Sequence, residues 1–395
     1  MTPYFTVLPT LPMKLSQDPV CVHATFIDSL EHRFYKYGRD ALWAGLETLD
    51  LGVSDEILVP ASLCEVVLMA FVKRGMNIQY YGLDTTLAFN PSEIESRVGG
   101  ATRAVYVNHY LGRPTPLAEI RRICDDKGLF LIEDCAHAFG GRIGEVSLGS
   151  FGDISIFSYR KFLPIPDGGG LLVNESSLSM PESLPKSPFI KTFRGVLKLW
   201  TLCLARHGFI PLASWKSARG HIDDYLRVED SIDLAEWEPP LGISDFSRRL
   251  VSKADLSTIA EKRRENYRFW MERLGKFDGA KPLFPNLATG QVPFSFPLLV
   301  ENRNAIVRAV ARRGAYLEPS LSAPFRNIDT LVNGDEPFPE IEAISAQMLS
   351  LPVHQSLTLA NLDWMWSVVK EALEATRRSQ QRRQNNLGQC NLEHM

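Results

Sequence analysis

The chain has 395 residues, of which 45% are hydrophobic and 23% are charged, and its formal net charge is −3. This composition is ordinary for a globular protein with a sizeable core, and the length suits a large α/β domain with a smaller second one. The slightly acidic charge argues against a nucleic-acid partner, which would favour a basic surface. No uninterrupted apolar stretch reaches the ~18 residues that a membrane helix requires, so we expect no membrane span.

The cysteines indicate a reducing compartment. Six of them are scattered along the chain without a CxxC pair, which argues against both a disulfide framework and a zinc site. The N-terminus lacks the basic segment and long apolar core of a signal peptide. We therefore expect a cytoplasmic protein without a bound metal.

The first half of the chain alternates between strand-like and helix-period segments. The predicted strands are residues 56–60, 77–81, 103–107, 129–134, 154–158 and 171–174. The predicted helices are residues 40–49, 64–73 and 117–127. Strands separated by helical crossovers indicate a mainly parallel sheet with helices on both faces. In such sheets, ligands bind at the carboxyl ends of the strands.

The second half of the chain divides less clearly into secondary-structure elements and domains. Its predicted helices are residues 247–274, 305–313 and 362–378, and its predicted strand is 292–300. We predict a large domain over residues 1–240, with a proline-rich insertion at about 180–240, and a small C-terminal α/β domain over 241–378. The polar tail at 379–395 is predicted to be disordered.

The insertion contains an apolar, partly basic piece at residues 196–205. Two interpretations stay open for it: contact with a membrane surface, or an amphipathic helix packed on a partner subunit. We favour the second interpretation. The arginine-rich tail is interpreted as a solvated end rather than a nucleic-acid contact.

A carboxylate and a lysine stand at or just after the ends of two predicted strands of the first half. One apolar run ends in Glu133 and Asp134, and a later one ends at Ser158, three residues before Lys161. This is the pair that pyridoxal phosphate (PLP) requires: the lysine forms a Schiff base, and the carboxylate keeps the pyridine nitrogen protonated. Because side chains alternate along a strand, only one of the two carboxylates reaches the cofactor, and we predict Asp134. Arg160 is a poor substitute for the lysine, since its guanidinium stays protonated.

Further motifs follow one another along roughly residues 30–375. They are Gly38-Arg39-Asp40-Ala41-Leu42, Asn108-His109-Tyr110-Leu111-Gly112, Ile132-Glu133-Asp134-Cys135-Ala136-His137, Gly149-Ser150-Phe151-Gly152-Asp153, Asp167-Gly168-Gly169 and Leu349-Ser350-Leu351-Pro352-Val353-His354. With these motifs the sequence resembles the DegT/DnrJ/EryC1/StrS family, the sugar aminotransferases of PLP fold type I.

The resemblance implies a fold and a set of roles. The fold would be a large domain with a mostly parallel seven-stranded sheet plus a smaller C-terminal α/β domain, in a homodimer with active sites at the subunit interface. The roles carried over include Lys161 for the Schiff base, Asp134 for the pyridine nitrogen and His137 near the phenolic oxygen. Ser158, Gly38 and Arg39 would hold the cofactor phosphate. His109 and Tyr110 would line the substrate pocket; the alternative for these two is that they only pack in the core.

The resemblance implies transfer of an amino group from glutamate or glutamine to a nucleotide-linked keto sugar. The setting would be the synthesis of polysaccharide or secondary-metabolite sugars. Two alternatives stay open. A PLP-dependent sugar dehydratase usually carries histidine where this chain has Lys161, and a non-catalytic family member would only bind the cofactor or the sugar.

Overall fold

A computed structural model describes residues 8–9, 32–206, 237–315, 317 and 321–392 of the chain. Its strands are β1 (His32–Tyr35), β2 (Glu56–Pro60), β3 (Asn77–Tyr81), β4 (Thr102–Asn108), β5 (Phe130–Asp134), β6 (Arg142–Ile143), β7 (Val146–Ser147), β8 (Ile154–Ser158), β9 (Gly169–Val173), β10 (Ala280–Pro282), β11 (Ser295–Val300) and β12 (Met348–Pro352). Its α-helices are α1 (Gly38–Thr48), α2 (Glu65–Lys73), α3 (Pro91–Arg97), α4 (Ala118–Lys127), α5 (Phe189–Arg206), α6 (Asp245–Val251), α7 (Leu256–Leu274), α8 (Arg303–Ala311), α9 (Pro339–Gln347) and α10 (Leu359–Leu392).

The large sheet has seven strands in the order β1-β9-β8-β5-β4-β2-β3. The four pairs from β8 to β3 are parallel, and only β9 runs against both of its neighbours. Every residue of β2 and β8 is buried, as expected for strands covered by helices on both faces. This arrangement confirms the mostly parallel seven-stranded sheet expected from the sequence.

Helix α1 begins at the carboxyl end of β8, at the edge of the sheet where ligands are expected to bind. It packs on β8 and β9, and its first residue, Gly38, lies beside the end of β8. The approach depends on Gly169, because a Cβ there would stand 2.2 Å from the carbonyl oxygen of Tyr37. The glycine run before β9 thus lets the start of α1 pack directly on the sheet.

The C-terminal half forms a second, antiparallel sheet of β10, β11 and β12. Its core joins the sheet to α7, α8 and α10 and contains Trp270, Leu298, Leu351 and Met365. Residues 321–348 also contribute side chains to the core of the large sheet, and Leu331 bridges to Ile78 at its β3 edge. The division of the chain at residue 240 therefore stays a prediction.

Some elements differ from those predicted. The single predicted helix at 247–274 is two helices, because the chain turns between α6 and α7, where Asp255 caps α7. The backbone of α10 runs to Leu392, where composition predicts disorder; the arginine and glutamine residues there are polar but also good helix formers. Residues 189–206 of the insertion form α5, and residues 207–236 lie outside the described residues. Among the described helices, none is long and apolar enough to cross a membrane.

Candidate active site

A cleft of about 670 Å³ opens at the carboxyl ends of β4, β5 and β8. This volume is within the range typical of small-molecule sites. The cleft brings together seven of the eight residues predicted for the site: Gly38, Arg39, Tyr110, Asp134, His137, Ser158 and Lys161. The residues predicted for the site thus surround one cleft, and their roles toward a cofactor stay predictions.

Asp134 is the buried carboxylate of the cleft. Its Oδ2 accepts hydrogen bonds from the Tyr106 hydroxyl at 2.7 Å and from the Asn108 amide at 3.2 Å. Its Oδ1 accepts from the backbone N–H of Ala136 at 2.7 Å. Burial, reinforced by the charge of Asp134, raises the pKa of Tyr106 well above its usual value, so the phenol stays protonated and donates. Three donors thus fix the orientation of this carboxylate.

Glu133 lies on the other face of the sheet, as strand alternation predicts. Its carboxylate accepts from the backbone N–H groups of Gly149, Phe151 and Gly152 and pairs with Nε2 of His109 at 2.9 Å. Hydrogen bonding to His109 opposes the desolvation of Glu133, and the backbone donors add to it, so the pKa of the carboxyl lies below its usual value. This buried cluster anchors the end of β5.

His109 is the predicted site residue that does not line the cleft. Its side chain is fully buried, its Nδ1 accepts from the backbone N–H of Thr115, and its Nε2 therefore carries the proton given to Glu133. The prediction of a substrate contact for His109 does not fit this placement, because both ring nitrogens are already used. Its chain neighbour Asn108 faces the cleft instead.

Lys161 ends a short 3₁₀ turn that follows β8, Tyr159–Lys161. The turn is fixed from both sides. The backbone N–H of Tyr159 donates to the carbonyl of Gly168, and the carbonyl of Lys161 accepts from the Arg263 guanidinium at 3.3 Å. Nζ of Lys161 stands 5.8 Å from the centre of the Phe294 ring, within the range of a cation–π contact.

Arg263, on α7, is a positioning residue that sequence reasoning missed. Its fully buried guanidinium donates to the carbonyls of Pro293, Phe294 and Lys161 and to Oε1 of Gln355. Burial lowers its pKa to about 9, which still leaves it charged at neutral pH. The amide of Gln355 in turn donates to the carbonyl of Phe162 at 2.6 Å. Two side chains from the C-terminal half thus hold the turn that carries Lys161.

His137 lies flat against Phe294, with ring centroids 4.5 Å apart and an angle of 4° between the planes. Full burial, and then the charge of Lys161, lower the pKa of His137 well below its usual value, so the imidazole is neutral. The contact depends on Gly112, where a Cβ would stand 2.1 Å from the carbonyl oxygen of Val292. The segment that carries Phe294 can therefore approach closely enough to stack on His137.

The opposite end of the cleft offers a place for an anion. The first turn of α1 opens there, with Gly38 packed against Ser158. Helix N-termini present backbone N–H groups and a positive dipole end to anions. Two guanidinium groups, those of Arg39 and Arg160, lie near the ring of Tyr37 at the same end. This end suits the phosphate of a cofactor.

Three buried polar atoms of the cleft have no hydrogen-bond partner among the described residues. They are Nε of Arg39, Oδ1 of Asn108 and Nδ1 of His137. Unsatisfied buried polar atoms are rare and costly in folded proteins. Their presence around one cleft indicates a polar ligand that extends from the start of α1 to His137, and PLP, with a phosphate and a polar ring, fits this distribution.

The comparisons with known proteins agree with the site. Residues 35–185 match the model of the DegT/DnrJ/EryC1/StrS aminotransferase family. This match covers less than half of the chain. One protein of similar fold, ntda from Bacillus subtilis, has a solved structure with bound cofactor PMP, at 18% identity and a TM-score of 0.61.

Relatives of the chain are named as sugar aminotransferases. The chain is 25% identical, over 89% of its length and 87% of the relative's, to dTDP-4-dehydro-2,3,6-trideoxy-D-glucose 4-aminotransferase of Saccharopolyspora spinosa. It is 31% identical to GDP-perosamine synthase of Escherichia coli O157:H7, over 36% of this chain and 40% of that relative. The match to this second relative thus spans less than half of its length.

Solved structures share the fold. The aminotransferase TlmJ from Streptoalloteichus hindustanus has a TM-score of 0.65 and 22% identity, over 89% of this chain and 90% of that one. PseC of Helicobacter pylori, an aminotransferase involved in the biosynthesis of pseudoaminic acid, has a TM-score of 0.68 and 16% identity, over 94% of this chain and all of that one (100%). At these identities the likeness shows the fold alone, and it confirms PLP fold type I.

Proposed function

We propose that this chain is a PLP-dependent aminotransferase that moves an amino group from glutamate or glutamine to a keto sugar, with a sugar nucleotide as the acceptor. The observation that carries the proposal is the cleft that unites Asp134, Lys161 and three unpartnered buried polar atoms. The names of the relatives support the substrate class.

Each polar group of the cofactor would contact a different residue of the cleft. Asp134 would pair with the pyridine nitrogen, and its three donors keep the carboxylate oriented toward the cleft. His137 would meet the phenolic oxygen, while the first turn of α1, with Ser158 and Arg39, would hold the phosphate. When bound, PLP supplies a carbonyl carbon that condenses with amines and a ring that accepts an electron pair.

Lys161 would have two tasks. Its amine holds the cofactor covalently between turnovers, and once released it takes the proton from the α-carbon of the amino donor. The turn fixed by Arg263 and Gln355 keeps Nζ on the side of the cleft where Phe294 and His137 stack. Because burial holds the pKa of His137 well below its usual value, its imidazole is a weak base and does not compete with Lys161 for that proton.

A second cleft adjoins the first and shares Tyr37 and Arg39 with it. Its volume is about 500 Å³, and its lining includes the cations of Lys36 and Lys191, which share Glu238 at 2.9 and 3.1 Å. We assign this cleft to the phosphates of the sugar nucleotide. Anionic substrate groups would there meet several cations held by one carboxylate.

Two further expectations belong to the proposal. The family resemblance predicts a homodimer with active sites at the subunit interface, which light scattering of the purified protein would test. Within the described part of the chain Cys64, Cys124 and Cys135 form no disulfide, which favours the cytoplasm as the location and a sugar-synthesis pathway there.

The test is an amino-transfer assay. The protein is incubated with PLP, glutamate or glutamine, and a panel of keto sugar nucleotides. The products are identified by mass spectrometry. We expect an amino sugar from at least one acceptor and none with Lys161→Ala. A deoxygenated sugar would indicate the dehydratase instead, and no product after retention of PLP would indicate a binding protein.

A further inference from the structure

Helix α5 has an unusual charge distribution. Over residues Phe189–Arg206 it carries four basic residues (Lys191, Arg194, Lys198 and Arg206) and no aspartate or glutamate. It also lies outside the shared family region, because the match to the family model ends at residue 185. Lys191 and Arg194 of this helix line the cleft assigned to the sugar nucleotide, but its large apolar side chains line neither cleft and are not explained by the proposed site.

One side of α5 attaches the helix to the rest of the molecule. Thr192 and Cys203 are buried on this side, and Gly195 packs so closely on Pro166 that a Cβ would stand 2.4 Å from it. Lys191 reaches Glu238 from the same region. These contacts fix the rotation of the helix about its own axis, and with it the side chains that face outward.

The outward side carries a continuous apolar stripe. Phe189, Phe193, Leu197 and Trp200 follow one another at a spacing of three or four residues, so they share one helix face. Phe189 is 83% exposed, and Phe193 and Leu197 are each 56% exposed. Large apolar side chains grouped in this way on a surface mark an interaction site.

A basic edge borders the stripe. Arg194 and Lys198 are four residues apart and exposed, and each follows a stripe residue directly in the chain. Within the described part of the chain, neither of them forms an ion pair, whereas many other exposed cations do. The outward surface of α5 thus presents apolar side chains beside uncompensated positive charge.

We propose that α5 docks on an anionic lipid surface, with its apolar stripe inserted among the lipids and its basic edge at the headgroups. A helix that combines aromatic and aliphatic side chains on one side with lysine and arginine on the next is the type that lies in a membrane interface. Charge complementarity identifies the partner, because the exposed edge holds cations only and the headgroups supply the anions.

A second copy of the chain fits this surface less well. In a symmetric dimer whose two-fold axis passes through this patch, α5 would face α5. Arg194 and Lys198 would then approach the same residues of the other copy without any carboxylate on the helix to compensate them. An anionic surface meets the apolar stripe without this repulsion.

Vesicle flotation with the full chain tests the proposal. The probes are vesicles of phosphatidylcholine alone and vesicles with one quarter phosphatidylglycerol, each at low and high salt. We expect binding to the anionic vesicles, strong weakening by salt, and little binding to the neutral ones. Phe193→Ser with Leu197→Ser should abolish binding, and Lys198→Gln should weaken it about fivefold, the effect of roughly one lost basic contact.

A matched control is Lys276→Gln, which removes one exposed positive charge from elsewhere on the surface and should leave vesicle binding unchanged. Amino transfer by the Phe193/Leu197 double variant shows whether it is folded, independently of lipid binding. Equal binding to neutral and anionic vesicles, or none to either, would overturn the proposal. So would light scattering that shows a wild-type dimer and a monomeric double variant, since the stripe would then join two copies.

Discussion

The hydroxyl of Tyr106 donates to Oδ2 of Asp134 at 2.7 Å, from the strand next to the one that carries the carboxylate. The hydrogen bond exists because Asn108 and Asp134 are direct neighbours in the sheet, which places Tyr106, two residues earlier, on the same face. The carboxylate proposed to meet the pyridine nitrogen is therefore held by side chains of β4, and its orientation is set before any ligand binds.

Replacing Tyr106 with phenylalanine should weaken the cofactor site. The variant removes one of three donors to a buried carboxylate, and a hydrogen bond to a charged group contributes about 2 kcal/mol. We expect the free energy of unfolding to fall by about that amount and PLP to bind less tightly. Urea unfolding without PLP and a PLP titration followed by absorbance measure the two effects.

Tyr81→Phe is the matched control. It removes another buried phenol, whose hydroxyl donates to the backbone carbonyl of Tyr106 at 2.8 Å, away from the carboxylate. It should lose stability but keep its PLP affinity. If both variants bind PLP as the wild type does, Tyr106 does not position Asp134 for the cofactor.

The neutral state of His137 predicts a pH dependence of stability. In the folded protein its pKa lies well below the usual value, whereas in the unfolded chain it returns to about 6.5. Below pH 6.5 the unfolded chain therefore takes up a proton that the folded state does not, and the folded state loses stability. The contribution is fully present above that pH and falls by at most about 1.4 kcal/mol per pH unit as the pH is lowered.

His137→Gln isolates this contribution, since glutamine does not titrate and all other groups are common to both proteins. The difference in unfolding free energy between wild type and variant should be constant above pH 7 and should shift against the wild type from pH 6.5 to 5. Denaturant unfolding over this range measures it. A difference that stays constant over the whole range would mean that folding does not shift the pKa of His137.

Arg263→Lys should disturb the reactive lysine from a distance. Lysine keeps the positive charge but cannot reach four acceptors with a single ammonium group. We expect the free energy of unfolding to fall by about 3 kcal/mol and, at a temperature where the variant is fully folded, PLP to react with Lys161 at least tenfold more slowly. The rate at which the visible absorption of the PLP adduct appears measures the second effect.

Arg264→Lys serves as the comparison, because Arg264 is the next residue on α7 and donates to the carbonyl of Gln291, away from the Lys161 turn. Gln355→Ala should behave as Arg263→Lys does, though more weakly, through the lost contact with Phe162. Unchanged adduct formation in a folded Arg263→Lys variant would show that this guanidinium acts only on stability.

Cofactor binding should protect Cys64 from alkylation. This thiol is exposed in the cleft, whereas those of Cys124, Cys135 and Cys203 are buried. Burial also raises the pKa of Cys124 to about 12, which leaves little thiolate to react. Iodoacetamide labelling followed by peptide mass spectrometry should show Cys64 modified rapidly without PLP and slowly with it. Equal labelling in the two cases would place PLP outside this cleft.

The residues predicted for the cleft could be grouped from the sequence because their signals are local. β2 and β3 begin and end at the predicted residues, Asp134 and Ser158 end strands, and Lys161 follows Ser158 by three residues. For His109 the sequence analysis left a substrate contact and a packing role open, although strand alternation already favours packing. Alternation, which separated Asp134 from Glu133, equally separates Asn108 from His109, since β4 and β5 pair in register at their ends.

Other residues of the site had no local signal. Phe294 precedes β11, and Gln355 follows β12, so both reach Lys161 only through the packing of the C-terminal half on the large sheet. Arg263 stands in a helix that also carries exposed arginines, and nothing in its neighbourhood distinguishes a buried guanidinium from a solvated one. Such contacts are set by tertiary structure.

The most direct test of the account is the visible absorption spectrum of the purified protein with PLP, before and after glutamate, for the wild type and for Lys161→Ala. We expect the wild type to show a visible band that borohydride fixes onto Lys161 and that glutamate bleaches, and the variant to show no such band. A band of equal strength in Lys161→Ala, or borohydride fixation at another lysine, would contradict the assignment of Lys161 as the residue that holds the cofactor.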